Sequence, residues 1–145
     1  MATIQLKRVK GDFGFDAKDE NGHTVRMDSS PESGGWDYGV RPMQMLLMGL
    51  GGCAGIDVIS ILKKQRQKVD DYKMTISGDR EPGKEPSLWK DITVEFHLYG
   101  TVDEDKAHRA VDLAMSKYCS VAATLQKSGT KIKTKVFVHA TNATK

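Results

Sequence analysis

The sequence predicts an α+β domain with the element order βββ-α-ββ-αα-β, running over residues 1–145 as one domain. Three observations carry this reading. Apolar and polar residues alternate at both ends of the chain and again in its middle, the period of half-buried strands. One apolar stretch, residues 43–62, has no Lys or Arg over a helical length. A shorter stretch with apolar positions three and four apart lies before the last alternating segment. The composition agrees: 145 residues suffice for one core, and 39% hydrophobic with 28% charged residues is the balance of a folded chain rather than a disordered one.

Residues 2–9 (ATIQLKRV) alternate and suit a strand, as do residues 12–17 (DFGFDA) and 23–28 (HTVRMD). Asn21-Gly22 lies between the last two, and both residues tolerate the positive φ of a hairpin turn, so the N-terminus reads as a three-stranded meander. Residues 29–41 (SSPESGGWDYGVR) form a loop whose Trp36 and Tyr38 either wall a pocket or pack the loop itself. Pro42 suits the first turn of a helix that extends to about Gln67. Its first five turns are apolar nearly all round, and Gly49, Gly51, Gly52 and Gly55 permit close packing or break the helix just before Cys53. Its basic tail, residues 63–68, complements the dipole at a helix C-terminus.

Residues 71–79 and 90–99 read as a strand pair, joined by an exposed connection that contains Pro82, Gly83 and Pro86. Thr101-x-x-Glu104 is a capping-box signature for an amphipathic helix with Ala107, Ala110, Val111, Ala114 and Met115 inward. A short second helix follows Tyr118 and stops near Ser128-Gly129, and residues 130–139 form the last strand.

A helix that is apolar on every face needs cover on every face. Six strands of a 145-residue monomer hardly supply it, so the expected assembly is a homodimer with the central helices sandwiched between sheets. The same stretch has the length of a bilayer span. It is interrupted by Gln44, Asp57 and four glycines, and nothing else in the chain has the character of a membrane protein, so no membrane role is expected. The first ten residues carry no apolar leader, and two cysteines do not make a secreted disulfide framework. A cytoplasmic location follows, where thiols stay reduced unless they work. A net charge of +3 without a basic stripe argues against nucleic acid.

The chain has no HExxH, P-loop or GxSxG motif. His23, His97, His108 and His139 lie on different elements without ligand spacing, so no metal and no cofactor are expected. Gly49-x-Gly51-Gly52 sits within a helical run with no strand before it, unlike a dinucleotide fingerprint. The methionines Met27, Met43, Met45, Met48 and Met115 fill core or line an apolar pocket.

Any chemistry therefore centres on Cys53 and Cys119. Cys53 is either a small core hydrophobe or a reactive thiol. Its neighbours, GGCAG over residues 51–55, are nearly bare of side chains, and a thiol just after a helix break would sit where the dipole favours thiolate. Cys119 falls at the junction of two helices, a similar position. If the Cα atoms lie within about 7 Å, one thiolate could attack and become a sulfenic acid, and the other could condense with it. Asp57 is one helical turn after Cys53. It opposes thiolate formation unless paired, or it is a buried hydrogen-bonded group.

Residues 42–53 (PMQMLLMGLGGC) place a Pro eleven positions before a Cys at the head of an apolar helix. With residues 56–62 (IDVISIL) and 117–122 (KYCSVA), this resembles the OsmC/Ohr family, in its YhfA-like branch. The resemblance covers the whole chain in element order. It implies an intertwined homodimer, a buried central helix carrying Cys53, and active sites at the subunit interface. It further implies a cofactor-free thiol peroxidase for organic hydroperoxides, acting in oxidative or osmotic stress defence. On that carry-over Cys53 attacks, Cys119 resolves, and a dithiol reductant such as a lipoylated protein restores both. The characterised peroxidases of the family carry an Arg in the first hairpin that pairs with the thiolate, and a Glu after the helix-opening Pro that holds it. Here those slots fall at or near Phe13 and at Met43, with neutral Gln44 beside it and Arg26 and Arg41 as the remaining candidate cations. These departures favour the alternative, a non-catalytic module that binds a small lipophilic or electrophilic ligand at the dimer interface.

Overall fold

A computed structural model describes residues 1–141. The chain forms two compact units, Met1–Leu46 and the remainder from Leu47 onward.

The first unit is an antiparallel sheet of β1 (Gln5–Lys10), β2 (Gly14–Lys18) and β3 (Thr24–Met27), in that order. The β2–β3 hairpin closes because the Asp19 carboxylate accepts the N–H groups of Asn21 at 2.9 Å and His23 at 2.8 Å. Of the two residues expected to take positive φ, only Gly22 does, at 87°. The following loop is organised by Asp28, which is 2% exposed and accepts from the N–H groups of Ser29, Trp36 and Tyr38 at 2.7, 2.8 and 3.2 Å. Burial pushes the Asp28 carboxyl up, but these N–H groups and the Arg41 charge outweigh it and hold it below its ordinary value. Trp36 and Tyr38 pack locally: Trp36 lies against Gly11 with the Lys10 ammonium over its ring, and the Tyr38 hydroxyl donates to Asp16.

Helix α1 (Pro42–Lys64) runs unbroken through all four glycines, so of their two expected roles the break before Cys53 does not occur. Two of them, Gly51 and Gly55, serve close packing. A Cβ on Gly51 would meet Ile76 Cδ1 at 2.8 Å, and one on Gly55 would meet Met74 Sδ at 3.0 Å. The bare backbone lets α1 sit close against the next strand. The helix ends three residues earlier than expected, because Arg66 turns the chain in the left-handed region at φ 58°.

That turn feeds β4 (Lys68–Arg80), which pairs antiparallel with β5 (Trp89–Thr101); β6 (Lys131–His139) lies parallel on the other edge of β5. Both long strands outrun the expected segments. Because β5 continues through Thr101, the capping residue of α2 (Glu104–Leu113) is Asp103 rather than Thr101; its carboxylate accepts from the Lys106 N–H at 3.0 Å. A π-helical turn (Ala114–Tyr118) and α3 (Ser120–Lys127) complete the crossover that a parallel β5–β6 pair requires. All five positions expected inward, Ala107, Ala110, Val111, Ala114 and Met115, are buried.

The core of this unit combines the inner face of β5 (Ile92, Val94, Phe96, Leu98) with the α1 stripe Leu50, Ala54, Val58 and Leu62. Phe96 is fully buried. Phe96→Ala is expected to destabilise the protein by about 3–5 kcal/mol, through lost transfer energy and a cavity. Urea unfolding checks this: the midpoint should fall sharply with the slope unchanged. A loss below about 1 kcal/mol would mean this face is not the core.

Part of α1 stays exposed among the described residues. Ile56 is 72% exposed and Met48 53%. By length and composition α1 is apolar enough to cross a membrane, and 33% of its apolar window is buried.

Candidate active site

Cys53 and Asp57 lie one turn apart on α1, so they share a face. Cys119 reaches that face through the π-helical turn. Its N–H donates to the Ala114 carbonyl at 2.7 Å, five residues back. The chain then leaves the helix at φ −74°, ψ 106°, which makes Cys119 the N-cap of α3. Its sulfur accepts from the Ala122 N–H at 3.4 Å. The two sulfurs and a carboxylate oxygen of Asp57 all lie within 4.8 Å of one another. Both cysteines are free thiols; Cys53 is half-buried and Cys119 is 3% exposed.

The electrostatics differ from the expectation at Cys119. Its place at a helix N-terminus was expected to favour thiolate. Burial outweighs this, and with the contact to Cys53 it pushes the Cys119 thiol up to about 11, against the opposing pull of the Ala122 N–H. At neutral pH Cys119 is therefore a protonated thiol. Cys53 lies in the middle of α1 rather than at a helix N-terminus.

Asp57 Oδ2 is buried and has no hydrogen-bond partner among the described residues. A buried carboxylate oxygen without a donor is an exception among folded proteins. The expectation of Asp57 as a buried hydrogen-bonded group does not hold for this oxygen.

The two candidate cations are engaged in the first unit. Arg41 donates to the Gly39 carbonyl at 2.7 Å and to Asp37 Oδ1 at 3.0 Å, and Arg26 lies over the Tyr38 ring. Phe13 lines an apolar hollow of about 360 Å³ there with Leu6, Phe15 and Met27.

The histidine reading missed one pair. The parallel register sets Tyr99 beside His139 and His97 beside Phe137, which brings His97 Nδ1 within 3.0 Å of His139 Nε2 in a stack of rings. Sequence spacing carries no signal for such a contact. On the far side of α1, an open groove of about 560 Å³ is lined by Gly52, Gly55, Ile56, Ile59, Tyr72 and Met74. The Tyr72 hydroxyl is buried without a partner among the described residues, and burial pushes its pKa up.

The profile of the family described as OsmC-like protein matches residues 33–135. Protein YhfA of Escherichia coli (strain K12) is 41% identical over 125 residues, covering 86% of this chain and 89% of that protein. A hypothetical protein from Aquifex aeolicus VF5 superposes with a TM-score of 0.84 at 31% identity, over 97% of each chain. The organic hydroperoxide resistance protein OsmC of Legionella pneumophila superposes at 0.73 with 16% identity, over 94% of this chain and 96% of that one; this is a likeness of fold. The α+β order, the helix that carries Cys53 and the match over most of the chain lead to one conclusion: the chain belongs to the OsmC-like family.

Proposed function

We propose that this protein is a cysteine-based peroxidase that reduces organic hydroperoxides. The observation that most supports the reading is the meeting of two free thiols, one half-buried and one fully buried, within 4.8 Å. The two environments divide the labour. Cys53 is the sulfur a peroxide reaches, and Cys119, held as a thiol, resolves.

The Cys53 thiolate attacks the terminal oxygen of the hydroperoxide. An S–O bond forms, the O–O bond breaks, and the alkoxide leaves and takes up a proton to become the alcohol. Cys53 is then a sulfenic acid, oxidised by the two electrons that reduced the peroxide. The Cys119 sulfur attacks the Cys53 sulfur; its proton leaves with the hydroxide as water, and a disulfide remains. A dithiol reductant of the lipoyl type returns both thiols by exchange. The names of structural relatives as organic hydroperoxide resistance proteins support the substrate class. The apolar residues of α1 around Cys53 favour alkyl over hydrogen peroxide.

The working form in this reading is a cytoplasmic homodimer in which a second copy covers the outward face of α1. Met48 and Ile56 supply apolar surface there. A protein partner suits this helix better than lipid, since its other side already packs on β4 through Gly51 and Gly55.

The test uses pre-reduced protein and stoichiometric cumene hydroperoxide without reductant, with free thiols counted by mass spectrometry. Both thiols should vanish together into one Cys53–Cys119 disulfide, more slowly with hydrogen peroxide. In Cys119→Ser the reaction should stop after a single equivalent, with a dimedone-reactive sulfenic acid on Cys53. Thiols that persist for hours would reject the peroxidase. They would leave the second reading, a module that binds a lipophilic ligand, which the α1 groove with its lone Tyr72 hydroxyl favours.

A further inference from the structure

Cys53, Asp57 and Cys119 bring two sulfurs and a carboxylate oxygen together from two separate helical elements. Cys53 and Asp57 stand at i and i+4 of one helix, the spacing by which a helix offers two ligands to one ion. Cys119 enters from a different segment, so the three donors converge rather than lie in a row. A tetrahedral zinc ion, with bonds of about 2.3 Å to sulfur and about 2.0 Å to oxygen, separates such donors by roughly 3.5–3.8 Å. The observed 4.8 Å limit is about 1 Å wider, within reach of side-chain rotation.

Two further observations point to a cation. Asp57 Oδ2 is buried with no donor among the described residues, so this oxygen has no partner within the fold. The Ala122 N–H already points at the Cys119 sulfur at 3.4 Å, the kind of outer hydrogen bond that orients a ligating thiolate. We propose that the reduced protein binds one thiophilic divalent cation of the zinc class through Cys53, Cys119 and Asp57. Two thiolates and one carboxylate select zinc over the hard ions calcium and magnesium. Three protein ligands leave a fourth position, open through half-buried Cys53. The site belongs to the dithiol form alone: a Cys53–Cys119 disulfide removes two of the three ligands, and the ion leaves.

The experiment titrates zinc into the reduced, metal-stripped protein against a chromogenic chelator, with cobalt as a spectroscopic substitute and no peroxide present. One ion per chain is expected, with thiolate-to-cobalt charge-transfer bands and the intense visible bands of a tetrahedral site. Asp57→Asn, nearly isosteric, should weaken zinc binding by more than about tenfold. Oxidation of the loaded protein to the disulfide should release the ion in full. The cobalt spectrum of the unaltered chain needs no variant, so poor folding of Asp57→Asn does not blunt the test. Absence of a bound equivalent in the reduced protein would overturn the site, as would zinc affinity unchanged in Asp57→Asn. A chain that binds zinc but ignores cumene hydroperoxide would reject the peroxidase and keep this site; the reverse result would do the opposite.

Discussion

Cys53→Ser is expected to abolish hydroperoxide reduction, lowering kcat/KM by at least about a thousandfold. A serine hydroxyl at neutral pH offers neither the charge nor the polarisable lone pairs of a thiolate. The remaining cysteine cannot take over. Burial, the largest cause of its raised pKa, keeps Cys119 a protonated thiol at pH 7, and it is 3% exposed. The pH dependence follows. That burial persists in Cys53→Ser, so the Cys119 thiolate fraction stays small at pH 7 and any residual activity should climb as the pH rises into the alkaline range. Stopped-flow consumption of cumene hydroperoxide across that range checks both points. A variant that keeps a tenth of the parental rate at pH 7 would remove Cys53 from the mechanism.

The second large effect is expected at Ile56. It stands in the middle of α1, 72% exposed, on the face opposite the Leu50, Ala54, Val58 and Leu62 stripe. In the proposed dimer it would be buried twice, once from each copy. Ile56→Glu withdraws about 1.5–3 kcal/mol of apolar burial per copy. It also forces two carboxylates into an apolar contact, at several kcal/mol more. The dimer dissociation constant should therefore rise by at least about a thousandfold. Because Ile56 contributes little to the chain's own core, the variant should remain folded by circular dichroism while it sediments as a monomer. A dimer of unchanged strength in the variant would place the interface elsewhere. A parental protein that is monomeric at micromolar concentration would dispose of the dimer altogether.

The sequence was legible where one local signal dominated. The hydrophobic period gave all six strands and the three helices in order, and Pro42 marked the first residue of α1. It was less so where two local signals competed. Thr101 carries a capping-box signature, but the β5–β4 ladder claims it, and Asp103 caps instead. The glycines of α1 read as close-packing positions or as a breaker; two of them pack against Ile76 and Met74, partners that no spacing within the helix reveals. The site was half legible. The contexts of Cys53 and Cys119 singled both out, and Asp57 was legible one turn from Cys53, but two things depend on long-range closure of the fold: that the two sulfurs meet, and that burial rules the Cys119 thiol. The His97–His139 contact has the same origin, a parallel register between strands 42 positions apart in the chain.

The π-helical turn at Ala114–Tyr118 makes the site sensitive to chain length as well as to residue type. Each residue in a helix advances about 100° around the axis. Removing one residue from this turn would restore a regular helix and swing the Cys119 sulfur by about that angle, away from α1. Substitutions at the exposed positions Lys117 and Tyr118 leave that geometry alone. Among descendants of this sequence, the stretch between α2 and α3 should thus drift freely in its outward letters, while insertions and deletions there are purged.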